Sequence, residues 1–189
     1  MRQSAVIMFP NAQNPSSENE SPALSLPRPN VLFVCMGNIC RSPAAEGVFR
    51  SLLAEQGLDD RIGVDSAGTI GAHAGEPADA RMRAAARQRG YELTSRARRV
   101  LEGDLDAFDL IIAMDRENFH DLQALHPDPR GRLRLFADYL PETAPRDVPD
   151  PYYGGTRGFE EVLDLLETGC PAVLEELGKV LDESSRPAP

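Results

Sequence analysis

Apolar positions along the chain fall into two alternating patterns. Val31 to Val34 (VLFV) form a short unbroken apolar run, the pattern of a strand buried on both faces. Ser42 and Pro43 follow as an N-cap and a first helical position. Ala44, Ala45, Val48, Phe49, Leu52 and Leu53 then recur at helical spacing, and Gly57 supplies a stop. Arg61 to Ser66 read as a second strand with Ile62 and Val64 on one face. Residues 67–77 read as a glycine-containing loop, and Ala78 to Arg89 as a helix closed by Gly90. Phe108 to Ala113 (FDLIIA) predict a third buried strand. Asp115 caps a helix to about Leu125, ended by Pro127 and Pro129. Leu133 to Phe136 predict a fourth strand, residues 141–155 a proline-rich loop, and Phe159 to Leu181 a final helix. Pro171 lies inside that helix, where proline costs about 3 kcal/mol, so a bend or break is expected near Gly169–Pro171.

Strands joined by helical crossovers predict an α/β fold: a single three-layer domain, a four-stranded parallel sheet with helices on both faces. Ligands in such folds bind beyond the C-terminal ends of the strands. Residues 1–28, rich in Ser, Asn, Gln and Pro, read as a disordered extension; 29–182 read as the folded domain, and 183–189 as a flexible tail.

Composition narrows the function classes. The net charge of −10 is uneven: residues 29–100 carry ten Arg against eight acids, and residues 101–189 carry eight bases against twenty acids. This balance argues against a nucleic-acid partner, which demands Lys and Arg to displace counterions, but leaves room for one local anion site. No apolar run approaches a membrane span, and prolines 10, 15, 22, 27 and 29 interrupt any leader-like segment. A cytoplasmic, reducing compartment and no membrane partner are therefore expected. Three cysteines are too few for a disulfide framework and read as thiols with chemistry. A monomer is expected.

The chemistry concentrates in Cys35-Met36-Gly37-Asn38-Ile39-Cys40-Arg41-Ser42-Pro43, between the first strand and the first helix. A loop there can wrap an anion with backbone N–H groups, the helix dipole behind them. Gly37 allows a positive φ or a close approach of the anion. Arg41 offers a planar fork to two phosphate oxygens. Cys35, facing N–H groups, a helix N-terminus and an arginine, is expected as a thiolate aimed at phosphorus, with Ser42 donating to it. A metal site built on Cys35 and Cys40 lacks the paired spacing of a zinc ribbon, and Cys170 is remote in sequence. No metal and no cofactor are called for. Asp147 and Asp150 lie in a proline-stiffened loop where a carboxylic acid can protonate a leaving oxygen.

Residues 35–43 resemble the active-site loop of the low molecular weight protein tyrosine phosphatases. Asp150-Pro151-Tyr152-Tyr153-Gly154 resembles that family's acid loop, and Asp65 to Thr69 and Met114-Asp115 match its pattern. The resemblance covers residues 29 to 182 and implies hydrolysis of phosphotyrosine in proteins, and of small aryl phosphates, through a cysteinyl-phosphate. It implies Cys35 as nucleophile, Arg41 as phosphate holder and Asp150, in preference to Asp147, as general acid and base. Met36, Gly37, Asn38, Ile39, Cys40 and Ser42 then surround the phosphate, Asn38 ordering the loop and Ser66 supporting it. Tyr152 and Tyr153 line the mouth. Cys40 can form a reversible disulfide with Cys35 or serve as a small apolar filler. Many relatives place an aromatic wall where this chain has Ala72, so a more open cleft is expected.

Three alternatives use the same residues. Arsenate reductase chemistry passes a disulfide through further cysteines placed between the middle helices, and residues 41–169 contain none. A non-catalytic phosphopeptide-binding protein needs no acid such as Asp150. A phosphoarginine phosphatase, by the resemblance, carries Thr at the position of Ile39, and Ile39 points to phosphotyrosine.

Overall fold

The computed structural model describes residues 29–184, with side chains placed to residue 179; the expectations for 1–28 and for residues 185–189 lie outside the described residues. Four strands run β1 (Asn30–Cys35), β2 (Gly63–Gly68), β3 (Leu110–Ala113) and β4 (Arg132–Leu135). Helices are α1 (Arg41–Glu55), α2 (Ala80–Gln88), α3 (Asp104–Ala107), α4 (Arg116–Leu125) and α5 (Thr156–Ser184), with a 3-10 turn at Phe136–Tyr139. The sheet order is β2-β1-β3-β4 and every pairing is parallel. The predicted three-layer architecture is the observed one.

Side-chain alternation along β1 separates two cores. Val31, Phe33 and Cys35 face the layer of α1, α2 and α5, where Phe33 stacks edge-on against Phe49 at 5.7 Å. Leu32 and Val34 face the other layer with Leu105, Phe108 and Leu122. Arg132 and Arg134 stand exposed on edge strand β4, charges that discourage pairing with another chain.

Four local expectations are corrected. The first helix begins at Arg41, with Cys40 at the N-cap and no side-chain cap, so Ser42 and Pro43 lie inside the first turn. The Ser42 hydroxyl is taken up by Cys35, Asn38 and the Ala67 carbonyl instead of a cap. The second strand lies two residues later than predicted because its register with β1 runs on to Cys35↔Gly68. Phe136 belongs to the 3-10 turn, not to the fourth strand, and α3 carried too short an apolar pattern to be foreseen. The final helix runs unbroken through Pro171. Pro171 lies on the exposed face, so the carbonyl one turn earlier that loses its N–H partner is on the side where water can serve it.

Gly169 and Gly178 of α5 differ in what surrounds them. A Cβ on Gly169 would lie 2.7 Å from the Phe136 ring, whereas one on Gly178 would meet nothing within 4 Å. Replacing either by Ala gains about 1 kcal/mol of helix propensity. At Gly169 an overpacking cost of about 1–3 kcal/mol outweighs that gain. Thermal denaturation should therefore show Gly169→Ala lowering Tm and Gly178→Ala raising it.

Burial pushes the Cys170 thiol up, and burial together with the Glu176 carboxylate, which accepts from the Tyr139 hydroxyl at 2.8 Å, pushes Tyr139 up. Both groups keep their protons in the folded chain after the unfolded chain has released them. Stability should then fall as pH rises above about 9, where an unburied thiol ionises. Tm measured from pH 7 to about 10.5 should decline less steeply for Tyr139→Phe and Cys170→Ala than for the unaltered chain.

Candidate active site

Chain direction in a parallel sheet reverses its crossover side once, here between β1 and β3. The loops that leave these two strands diverge and open a cleft between them. The loop after β1 is residues 36–40, and the junction after β3 is Met114-Asp115.

The loop after β1 turns its carbonyls outward. Cys35 O accepts from Thr69 N–H, Met36 O from Ile70 N–H and Ile39 O from Asp79 N–H, at 2.9, 3.0 and 2.7 Å. In a trans peptide the N–H points opposite to the carbonyl, so the amides of Met36, Gly37 and Cys40 turn the other way, into the loop. Gly68 makes this approach possible, since a Cβ there would lie 2.7 Å from Met36 O. The positive φ expected of Gly37 falls on Asn38, at 54°, and Gly37 instead lies beneath the His73 ring.

Asn38 holds that strained conformation through its side chain. Its amide nitrogen donates to Ser42 Oγ and Ser66 Oγ, both at 2.9 Å, and its oxygen accepts from Arg98 N–H at 2.8 Å. Ser66 Oγ donates to Glu46 Oε2 at 2.7 Å, and Arg50 Nε donates to Glu46 Oε1 at 3.0 Å. Glu46 is only 4% exposed, a buried carboxylate that the helical pattern gave no reason to single out. Because Ser66 gives its hydrogen to Glu46, it can only accept from Asn38. The chain of donors therefore points from Asn38 toward Ser42, whose Oγ lies 3.0 Å from Cys35 Sγ. The Asn38 N–H also donates to Sγ, at 3.3 Å.

Arg41 is 4% exposed. Its Nη1 donates to Asp115 Oδ2 and to the Val148 carbonyl at 3.2 Å, and its Nη2 donates to Asp150 Oδ2 at 3.2 Å. Burial alone would lower its pKa, but attraction from Cys35, Asp150 and Asp115 raises it, so the guanidinium stays charged. Asp115 also caps α4 by accepting from Asn118 N–H at 2.7 Å, and so serves helix and cation at once. Asp147 does not reach the cleft. Arg116 grips it with Nε and Nη2, holding its carboxyl below the usual range.

The structure therefore brings Cys35, Met36, Gly37, Ile39, Cys40, Arg41, Asp150, Tyr152 and Tyr153 around one cleft of about 630 Å³ including its open mouth, and places Asn38 and Ser42 behind it. Tyr153 is 88% exposed and meets Tyr152 edge-on, and the Arg81 guanidinium lies over the Tyr152 ring at 5.4 Å. Two further wall residues, Ile70 and His73, come from the loop after β2. The sequence pattern pointed to Ala72 for this wall, but Ala72 is exposed and does not line the cleft. Cys40 has its thiol pushed up to about 12 by burial, with Asp79, Cys35 and Asp150 adding to the effect. All three cysteines are free thiols. No helix is long and apolar enough to cross a membrane among the described residues.

Comparison with known proteins agrees with this geometry. A family model described as low molecular weight phosphotyrosine protein phosphatase matches residues 30–183. The Bacillus subtilis low molecular weight protein-tyrosine-phosphatase YfkJ is 45% identical over 152 residues, 79% of this chain and 96% of that protein. Its crystal structure superposes with a TM-score of 0.74. A protein tyrosine phosphatase from Entamoeba histolytica, crystallised with Hepes in its active site, is 40% identical with a TM-score of 0.76, covering 79% of this chain and 97% of that one. A Drosophila arginine phosphatase is 32% identical with a TM-score of 0.72, covering 77% and 96%. Matching sequence and matching architecture thus span the whole described domain and both loops of the cleft, and the chain belongs to the low molecular weight phosphotyrosine protein phosphatase family.

Proposed function

We propose that the protein hydrolyses phosphotyrosine in proteins through a cysteinyl-phosphate, with Cys35 as nucleophile, Arg41 as phosphate holder and Asp150 as general acid and base. One observation carries the reading: nucleophile, cation and carboxyl converge in a single cleft, with Arg41 hydrogen-bonded to Asp150 at 3.2 Å. The Cys35 thiolate attacks phosphorus while the Ser42 hydroxyl and Asn38 N–H steady the sulfur. Arg41 and the inward amides hold the equatorial oxygens and stabilise their charge. Asp150 in its acid form protonates the departing phenolic oxygen; its carboxylate then takes a proton from the water that hydrolyses the intermediate. The family's chemistry is metal-independent, and here the loop and Arg41 supply the positive charge.

The walls favour an aromatic leaving group. Ile39, Ile70 and Tyr152 all line the cleft and present apolar surface to a ring entering it. Ile39 favours phosphotyrosine over phosphoarginine because its branched side chain packs on a ring and crowds a guanidinium. Cys170 is fully buried in the α1/α5 core, so the thiol relay of an arsenate reductase finds no third cysteine at the cleft. A reducing cytoplasm, where these thiols stay free, and a monomer complete the reading.

Steady-state kinetics on para-nitrophenyl phosphate with EDTA should show turnover, lost in Cys35→Ser while phosphate binding is retained. Turnover that survives in Cys35→Ser, or none in the folded unaltered chain, would sink the reading. Asp150→Ala should lower kcat/KM on phenyl phosphate by about 10²–10³ and much less on para-nitrophenyl phosphate, because general acid catalysis is worth most to a poor leaving group. Iodoacetate at pH 7.5 should alkylate Cys35 and leave Cys40, whose thiol keeps its proton until about pH 12. Peptide mass mapping reads the difference, and phosphate should protect Cys35.

A further inference from the structure

Before Asp150, the proline-rich loop touches the junction after β3 through Val148 and the start of α4 through Asp147. Val148 N–H donates to the Met114 carbonyl at 2.9 Å, and its own carbonyl accepts from Arg41 at 3.2 Å. Asp147 is gripped by Arg116. The Arg116 N–H donates to Oδ1 at 2.9 Å, Nε lies 3.2 and 3.1 Å from the two oxygens, and Nη2 donates to Oδ2 at 2.6 Å. That N–H belongs to the first residue of α4, one of the donors a helix leaves without an internal partner.

The position is a poor one for stability. The Arg116 side chain is 65% exposed, where an ion pair competes with water and adds little. Its geometry is nonetheless complete: two guanidinium nitrogens and a backbone N–H converge on one carboxylate. Such a grip fixes direction more than it adds energy. What lies beyond it transmits that direction. Only Val148 and Pro149 separate Asp147 from Asp150, Val148 is buried, and Pro149 and Pro151 each have a ring-fixed φ. Little torsional freedom remains to absorb a shift of the anchor.

We propose that Arg116 and Asp147 form a positioning pair for Asp150. Three consecutive residues, Met114, Asp115 and Arg116, take hold of Val148, Arg41 and Asp147 in turn. The proton donor and the phosphate-holding cation are thereby set from one junction. The pair touches no substrate and acts only through the loop. This inference rests on the general-acid role of Asp150.

The test is the dependence of kcat/KM on leaving group across a series of substituted phenyl phosphates, for Arg116→Ala, Arg116→Lys, Asp147→Asn and Asp150→Ala. Tm and competitive inhibition by inorganic phosphate are measured alongside. Loosening the acid should cost Arg116→Ala about tenfold on phenyl phosphate and less than about twofold on para-nitrophenyl phosphate. Arg116→Lys should recover part of the loss, Asp147→Asn should resemble Arg116→Ala, and phosphate inhibition should stay unchanged in all three. A uniform loss across leaving groups, or none, in Arg116→Ala and Asp147→Asn while Asp150→Ala steepens the dependence would overturn the pair and leave the acid standing. An Asp150→Ala profile parallel to that of the unaltered chain would overturn both.

Discussion

A guanidinium withdrawn from water must be met by charge and hydrogen-bond acceptors, and the site is organised around how Arg41 meets that requirement. Its acceptors come from two places distant in sequence, Asp115 at the end of β3 and the Val148 and Asp150 pair in the proline-rich loop. No one of them satisfies the guanidinium's N–H donors by itself. The loop after β1, the junction after β3 and the acid loop are thus held by one buried charge, and a displacement of any of them leaves that charge short of partners. The cation that suits a phosphate dianion is the same group that keeps the cleft assembled.

The sheet makes this convergence possible. With β1 and β3 adjacent and parallel, their C-terminal ends emerge side by side, and the chain leaves them toward opposite layers. Gly68 at the end of neighbouring β2 lets the loop after β1 close against the sheet, and the carbonyls of that loop find their donors in the segments after β2. The first half of α1, from Arg41 to Phe49, is buried throughout. A loop fixed at one end by a strand and at the other by a fully enclosed helix turn has little room to rearrange when an anion arrives, which is the condition for electrostatic preorganisation.

The fold was legible because buried parallel strands write themselves as short apolar runs and amphipathic helices as spaced ones; Val31 to Val34 and the stripe from Ala44 to Leu53 are of this kind. The nucleophile loop was legible because its chemistry is contiguous. What escaped was long-range pairing. Asp115 could be read as a helix cap but not as a partner of Arg41, 74 positions away. Glu46 sits on a helix where a carboxylate ordinarily faces water, and only the approach of Ser66 from β2 explains its burial. The choice between Asp147 and Asp150 needed the resemblance, because both are loop carboxylates three residues apart. In space Arg116 claims the first and Arg41 the second. Pro171 misled because the proline lies on the exposed side, where water can serve the carbonyl left without its N–H partner, and the helix runs on.

Ser42 has one hydrogen and two acceptors within reach, Cys35 Sγ at 3.0 Å and the Ala67 carbonyl at 3.2 Å. While the sulfur is anionic the hydroxyl turns to it. In the proposed cysteinyl-phosphate the sulfur is a poor acceptor, and the hydroxyl can turn to the Ala67 carbonyl beside it. The covalent intermediate is thereby spared a stranded buried donor, an omission that would cost about 1–3 kcal/mol. A single rotor with two resting places lets the pocket change the charge of its central atom while the Ser42 hydroxyl keeps an acceptor in either state.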